Sequence, residues 1–77
     1  MMINKYISVD PDIAFGKPCI AGTRISVELI LEFLSFGHTI DNLLEYYPQL
    51  SYEQIQAAIQ FARDCIHHEY GQERAAS

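Results

Sequence analysis

Positive charge is scarce in this chain of 77 residues: five Lys and Arg stand against ten Asp and Glu, a net of −5. The scarcity is uneven. Residues 1–24 carry Lys5, Lys17 and Arg24 against Asp10 and Asp12, a net of +1, whereas residues 25–77 carry only Arg63 and Arg74 against eight acids, a net of −6. Affinity for nucleic acid comes largely from neutralising phosphates with Lys and Arg. The second part of the chain therefore repels phosphate on average, and its field suits a basic protein partner better. Cysteine is sparse too. Cys19 and Cys65 make no disulfide framework, and both are expected to be small core hydrophobes, with reduced thiols in a cytoplasmic protein. No apolar run approaches the roughly 20 residues that span a bilayer, so no membrane segment is expected. Residues 1–10 hold no long apolar core, and no signal peptide is expected. Repeats and low-complexity stretches are lacking, which leaves a single small domain over residues 1–77.

Apolar residues are plentiful by contrast, at 49% of the chain. A domain this small buries a modest fraction of its surface. The excess predicts a sticky face, and with it a homodimer or a protein partner. Lys5-Tyr6-Ile7-Ser8-Val9 alternates as a short strand does, and Asp10-Pro11-Asp12 ends it with turn chemistry. A second extended piece is expected near Pro18-Cys19-Ile20, turned by Gly22. Strands this short need to pair with each other or with a second subunit.

Three helices follow in the pattern. Ser26 reads as an N-cap with Glu28 in the first turn, and the helix is predicted over residues 27–36, stopped by Gly37. Val27, Ile30, Leu31 and Leu34 fall at helical spacing, and only Glu28, Glu32 and Ser35 are polar, so this helix is expected to be buried on most sides. Thr39 caps a second helix over residues 40–47, with Ile40, Leu43, Leu44 and Tyr47 inward and Pro48 preventing continuation. Ser51 and Gln54 have capping-box spacing for a third helix from residue 52 to about 69. Its stripe is Ile55, Ala58, Ile59, Ala62, Cys65 and Ile66. Residues 71–77 read as a frayed tail, too short to wrap a partner. The predicted fold is mainly α: extended strands and a loop over residues 1–25, then a three-helix bundle over residues 26–70, compatible with a helix-turn-helix.

Each candidate site has a plainer rival. The stretch Gly16-Lys17-Pro18-Cys19-Ile20-Ala21-Gly22-Thr23-Arg24 invites a phosphate loop, but it lacks the Walker spacing, and Pro18 removes a backbone donor. A shaped loop is the better reading, with Gly22 and Thr23 turning the chain and Arg24 tied to an acid such as Asp10. His67 and His68 are adjacent on a helix and splay apart, so no metal or other cofactor is expected. No Ser-His-Asp or Cys-His spacing points to catalysis, and no enzyme is expected. If the third helix read DNA, its first residues would meet base edges. Those are Tyr52, Gln54 and Gln56, but Glu53 would face phosphates. Phe33, Phe36 and Phe61 exceed one small core, and with Glu28 and Glu32 they are the candidate partner or dimer interface.

Four stretches resemble one known family, the prokaryotic "domain of unknown function 433" family. They are Tyr6-Ile7-Ser8-Val9-Asp10-Pro11, the Gly16 to Ile25 segment, Phe36-Gly37-His38-Thr39-Ile40 and Tyr47-Pro48-Gln49-Leu50-Ser51. The resemblance covers nearly the whole chain, from about residue 6 to 65. The resemblance implies a small homeodomain-like or helix-turn-helix fold. It also implies an antitoxin-like role beside a toxin resembling PIN-domain ribonucleases, with autoregulatory DNA binding. It supplies no catalytic residues. The acidity of this chain departs from a good repressor, so DNA binding by the chain alone is expected to be weak. The runner-up readings are a DNA-binding regulator and a structural module with neither activity.

Overall fold

The structure, a computed structural model, describes residues 1–70. In chain order it contains strand β1 (Ile7–Ser8), strand β2 (Cys19–Ile20) and helices α1 (Val27–Ser35), α2 (Ile40–Tyr46) and α3 (Tyr52–Tyr70). The predicted tail at residues 71–77 lies outside the described residues. The fold is mainly α, a two-stranded sheet followed by three helices, as the pattern predicts.

The two strands pair with each other, antiparallel, with Ile7 opposite Ile20 and Ser8 opposite Cys19. Single bridges extend this ribbon on both sides, Met2 to Ser8 and Cys19 to Ser26. A strand pair this short is not stable alone. It holds here because Ile7 and Ile20 are fully buried against Ile30, Leu43, Ile55 and Ala58 of the three helices. Burying each such side chain contributes roughly 1.5–3 kcal/mol.

Local chemistry sets where each helix begins. The Ser26 hydroxyl accepts from the Leu29 N–H at 2.9 Å. Thr39 and Asn42 form a reciprocal capping box, and Ser51 and Gln54 form another: the Gln54 N–H donates to Ser51 Oγ, and Gln54 Oε1 accepts from the Ser51 N–H. Each cap is worth about 1 kcal/mol. Helix α1 stops where Gly37 adopts a φ of 94°, its N–H donating to the Leu34 carbonyl. Five residues link α2 to α3, with Pro48 directly after the Tyr47 C-cap.

Two expectations about burial, and one about the loop before α1, are corrected. Helix α1 is buried on one side only: Val27 and Ile30 face the core, Phe33 and Leu34 pack at its edge, and Leu31 is exposed with Glu28, Glu32 and Ser35. The inward face therefore takes in Leu29 and Phe33 with Val27, Ile30 and Leu34 and leaves out Leu31, because α2 and α3 both pack on that side. The α3 stripe fails beyond Ala62. Residues 63–70 are all exposed, including Ile66 at 60%. Helix α3 has 19 residues against nine in α1 and seven in α2, so it outruns the elements that could cover it. Cys65 rides on that uncovered end and is exposed, whereas Cys19 is buried as expected.

The third correction concerns the loop before α1. Arg24 is exposed and joins neither ion pair formed among the described residues. Asp10 instead accepts the Asp12 N–H on its own side chain at 2.9 Å. Thr23 secures the loop: its hydroxyl donates to the Ile20 carbonyl at 2.9 Å and accepts from the Ile25 N–H at 3.0 Å. Gly22 turns the chain at a φ of 81°. A short hydroxyl reaches both ends of a four-residue turn, and a long guanidinium is not required.

Candidate interaction surfaces

Four of the five predicted interface residues belong to one helix. Glu28, Glu32 and Phe36 succeed one another at i, i+4, i+8 along the outside of α1, and spacing of this kind makes neighbours on a helix. Glu28 is held at its side by Lys17, with Nζ 2.8 Å from Oε1. Hydrogen bonding and charge attraction from Glu28, with a smaller contribution from Glu32, raise the Lys17 ammonium above its ordinary pKa. Both partners are well exposed, so the pair is screened by solvent and serves more to orient the loop than to stabilise it. Phe36, the C-cap residue of α1, is 74% exposed.

Phe33 is half-buried and opens an aromatic group absent from the sequence expectations. Its ring stacks on His38 with centroids 4.4 Å apart and meets Tyr46 at 5.6 Å, and Tyr46 meets Tyr47 edge-on at 5.1 Å. Gly37 makes this possible by reversing the chain so that His38 folds back over Phe33. Tyr46 remains mostly exposed. The outside of α1 thus carries acids along its length and aromatic surface at its C-terminal end.

Phe61, the fifth residue, lies elsewhere. It is half-buried on α3, beside a groove of about 420 Å³ between that helix and the segment leading into β1. Tyr6, Ala57 and Phe61 give the groove apolar lining, and Lys5, Glu53 and Asp64 give it charge. Lys5 Nζ sits 5.4 Å from the Tyr6 ring centroid, a cation–π distance. Tertiary pairing of residues 4–6 with α3 creates this groove, and no local sequence signal announces it.

The residues considered for DNA reading are also divided. Tyr52 and Gln56 are exposed at the start of α3, but Gln54 is half-buried with its amide oxygen and backbone N–H engaged in the capping box. Gln56 faces the groove just described. Glu53 occupies the first turn. Arg63, the sole Lys or Arg of α3, donates to its neighbour Asp64 at 3.1 Å.

The most unusual backbone in the molecule lies between the strands. Ala14, Phe15 and Gly16 take φ values of 50°, 58° and 80°, a complete left-handed turn. Glycine adopts this region freely, whereas residues with a Cβ pay roughly 1–2 kcal/mol each. Backbone bonds hold the turn in place: the Ile13 N–H donates to the Asp10 carbonyl, Gly16 to Ile13 and Lys17 to Ala14. The Phe15 side chain stands 98% exposed at its apex. The available sequence signal was an aromatic residue set among Asp-Pro-Asp and Gly turn residues, outside either strand pattern.

The remaining chemistry is modest. Burial pushes the Cys19 thiol above its ordinary pKa, as befits a core residue and not a nucleophile. Among the described residues no three of His, Cys, Asp and Glu are grouped to hold a metal ion. No helix of the described residues is long and apolar enough to cross a membrane.

A paired strand ribbon, the Gly-Lys-Pro-Cys-Ile loop and three capped helices define a small helical domain, and comparison with known proteins agrees. Residues 7–62 match the family model described as "Protein of unknown function (DUF433)", and the chain belongs to that family. The fold is similar to the crystal structure of a DUF433 member protein from Anabaena variabilis ATCC 29413, with a TM-score of 0.76 and 28% identity, over 90% of this chain and 71% of that one. The chain is also 34% identical over 58 residues to "Uncharacterized protein y4eO" of Sinorhizobium fredii (strain NBRC 101917 / NGR234). That match takes in 75% of this chain but 26% of the relative, so the chain spans about a quarter of that relative's length.

Proposed function

We propose that the chain is a non-enzymatic, antitoxin-like module that works in the cytoplasm by binding a basic protein. The partner we infer is a small ribonuclease resembling the PIN-domain toxins that the family resemblance implies. The observation that carries this reading is the outer face of α1, where Glu28, Glu32 and Phe36 are displayed together while the core closes without them. Acids beside an exposed aromatic suit a surface with cations around an apolar hollow. Direct DNA reading ranks second. Tyr52 and Gln56 are accessible, but Gln54 is engaged, Glu53 faces outward and Arg63 is paired, so α3 offers little to a phosphate backbone. Any repression then belongs to the complex, with the basic partner supplying phosphate contacts.

The test is inhibition of the nuclease-like protein encoded beside this chain. Stoichiometric suppression of its RNA cleavage, slowed by the double reversal Glu28→Lys and Glu32→Lys and weakened by added salt, is the expected result. Tight, sequence-specific DNA binding by the chain alone, lost in Gln56→Ala, would reverse the ranking.

A further inference from the structure

We infer that the stacked rings of Phe33, His38 and Tyr46 form a platform for an arginine side chain of the basic partner, an inference that rests on the proposed function and extends it. The platform joins two helices. Gly37 turns the chain so that His38 folds back over Phe33 of α1, with ring centroids 4.4 Å apart and planes 25° from parallel. Tyr46 of α2 meets the same Phe33 ring at 5.6 Å and is braced edge-on by Tyr47. Phe33 is half-buried, whereas His38 is exposed and Tyr46 is 67% exposed. Aromatic contact therefore fixes two rings that the core does not claim. Stacking on Phe33 takes one face of the His38 ring and leaves the other to solvent. An aromatic face presented in this way attracts a cation.

Charge selects the occupant. Residues 25–62 contain no Lys or Arg, and α1 and α2 expose Glu28, Glu32, Asp41 and Glu45. Among the described residues, only Glu28 of these four pairs with a cation, Lys17. Glu32 directly precedes Phe33 and Glu45 directly precedes Tyr46, so the carboxylates lie about 100° round each helix from the rings and frame them. Asp41 and Glu45 stand at i, i+4, where like charges repel, and a cation docked beside them relieves that repulsion. The same field refuses a phosphate, and a second copy brings a net charge of −5 of its own. Among cations, arginine fits best. Its planar guanidinium lies flat on an aromatic ring while its N–H fork reaches carboxylates at the rim, whereas the lysine ammonium is a compact, strongly hydrated point charge.

NMR titration of the whole chain with acetylated tetra-arginine amide tests this, beside tetralysine and tetracitrulline peptides of the same design. At about pH 8 and about 0.1 M salt, tetra-arginine should shift the ring protons of His38 and Tyr46, with a dissociation constant of about 1 mM. Tetralysine should bind at least about threefold more weakly, and tetracitrulline, similar in shape but uncharged, should leave the rings unmoved. Tyr46→Ala should weaken arginine binding about fivefold, and Tyr46→Phe, which keeps the ring, should preserve it. Glu45→Gln should weaken it about twofold, whereas Glu69→Gln, on the uncovered end of α3, should not. Should Tyr46→Ala fail to fold by circular dichroism, the comparison of the three peptides on the wild-type chain decides alone. Ring protons unmoved at about 10 mM tetra-arginine, lysine binding as tightly as arginine, or a folded Tyr46→Ala that binds normally would each overturn the proposal. Ring shifts that grow with protein concentration alone would give the platform to a second copy and equally overturn it. No ribonuclease enters the titration. Ribonuclease inhibition with no arginine binding at the rings sinks the platform and leaves the antitoxin reading standing, and arginine binding without inhibition does the reverse.

Discussion

Two turns flank β2, and both pass through left-handed backbone, but they are made of different residues. The turn after β2 places Gly22 at a φ of 81° and fastens itself with the Thr23 hydroxyl, which bonds residues on both sides of the reversal. The turn before β2 gives the same region to Ala14 and Phe15 as well as Gly16. The first is what a fold requires of a tight reversal. The second satisfies the same geometry with residues that strain it, and leaves the largest of them in solvent. The comparison separates a turn whose residues suit its shape from one whose residues do not.

Substitutions can break or sharpen that contrast, and urea unfolding followed by circular dichroism reads them all. The largest effect belongs to the strand between the turns. Ile20→Ala empties a fully buried site shared by sheet and helices, and should cost about 2–5 kcal/mol. Thr23→Val keeps the volume but removes both hydroxyl bonds, leaving the Ile25 N–H without its partner, and should cost about 1–3 kcal/mol. Gly22→Ala meets no atom within 4 Å of the added Cβ, so its cost is conformational alone, about 1 kcal/mol. Phe15→Gly should move the other way. Relief of strain outweighs the added freedom of the unfolded chain, for a gain of about 0.5 kcal/mol. A marked loss of stability in Phe15→Gly would show that the two turns do the same job and would remove the contrast.

Local signals in the sequence predict local structure well. Ser26, Thr39 and Ser51 cap the helices they were expected to cap, Gly37 and Pro48 stand where α1 and α2 have ended, and the two short strands pair with each other. These features rest on hydrogen bonds within three or four residues or on neighbouring strands joined by one loop. Cys65 and Ile66 misled because periodicity gives the apolar side of a helix but not the length of its neighbours. Arg24 misled because charge suggested a tie that a hydroxyl made instead. The candidate surfaces divide in the same way. Glu28, Glu32 and Phe36 share a face that helical spacing alone implies. Phe61 was grouped with them by composition, yet tertiary packing places it in a groove with Lys5 and Tyr6, more than 50 residues away in sequence. The turn at Phe15 escaped because sequence patterns reserve left-handed backbone for glycine and its polar substitutes.

The helix caps also bear on how quickly the native state is reached. Each hydroxyl cap finds its N–H three residues ahead, so every helix start can form before any distant contact is made. The ribbon that completes the core closes a short loop between residues 8 and 19, a search that costs little entropy. Folding dominated by near neighbours proceeds on the microsecond-to-millisecond scale typical of helical domains. Once unfolded, such a chain would regain its capped helices and ribbon quickly, leaving isomerisation at Pro11, Pro18 and Pro48 as the slow phase of its refolding.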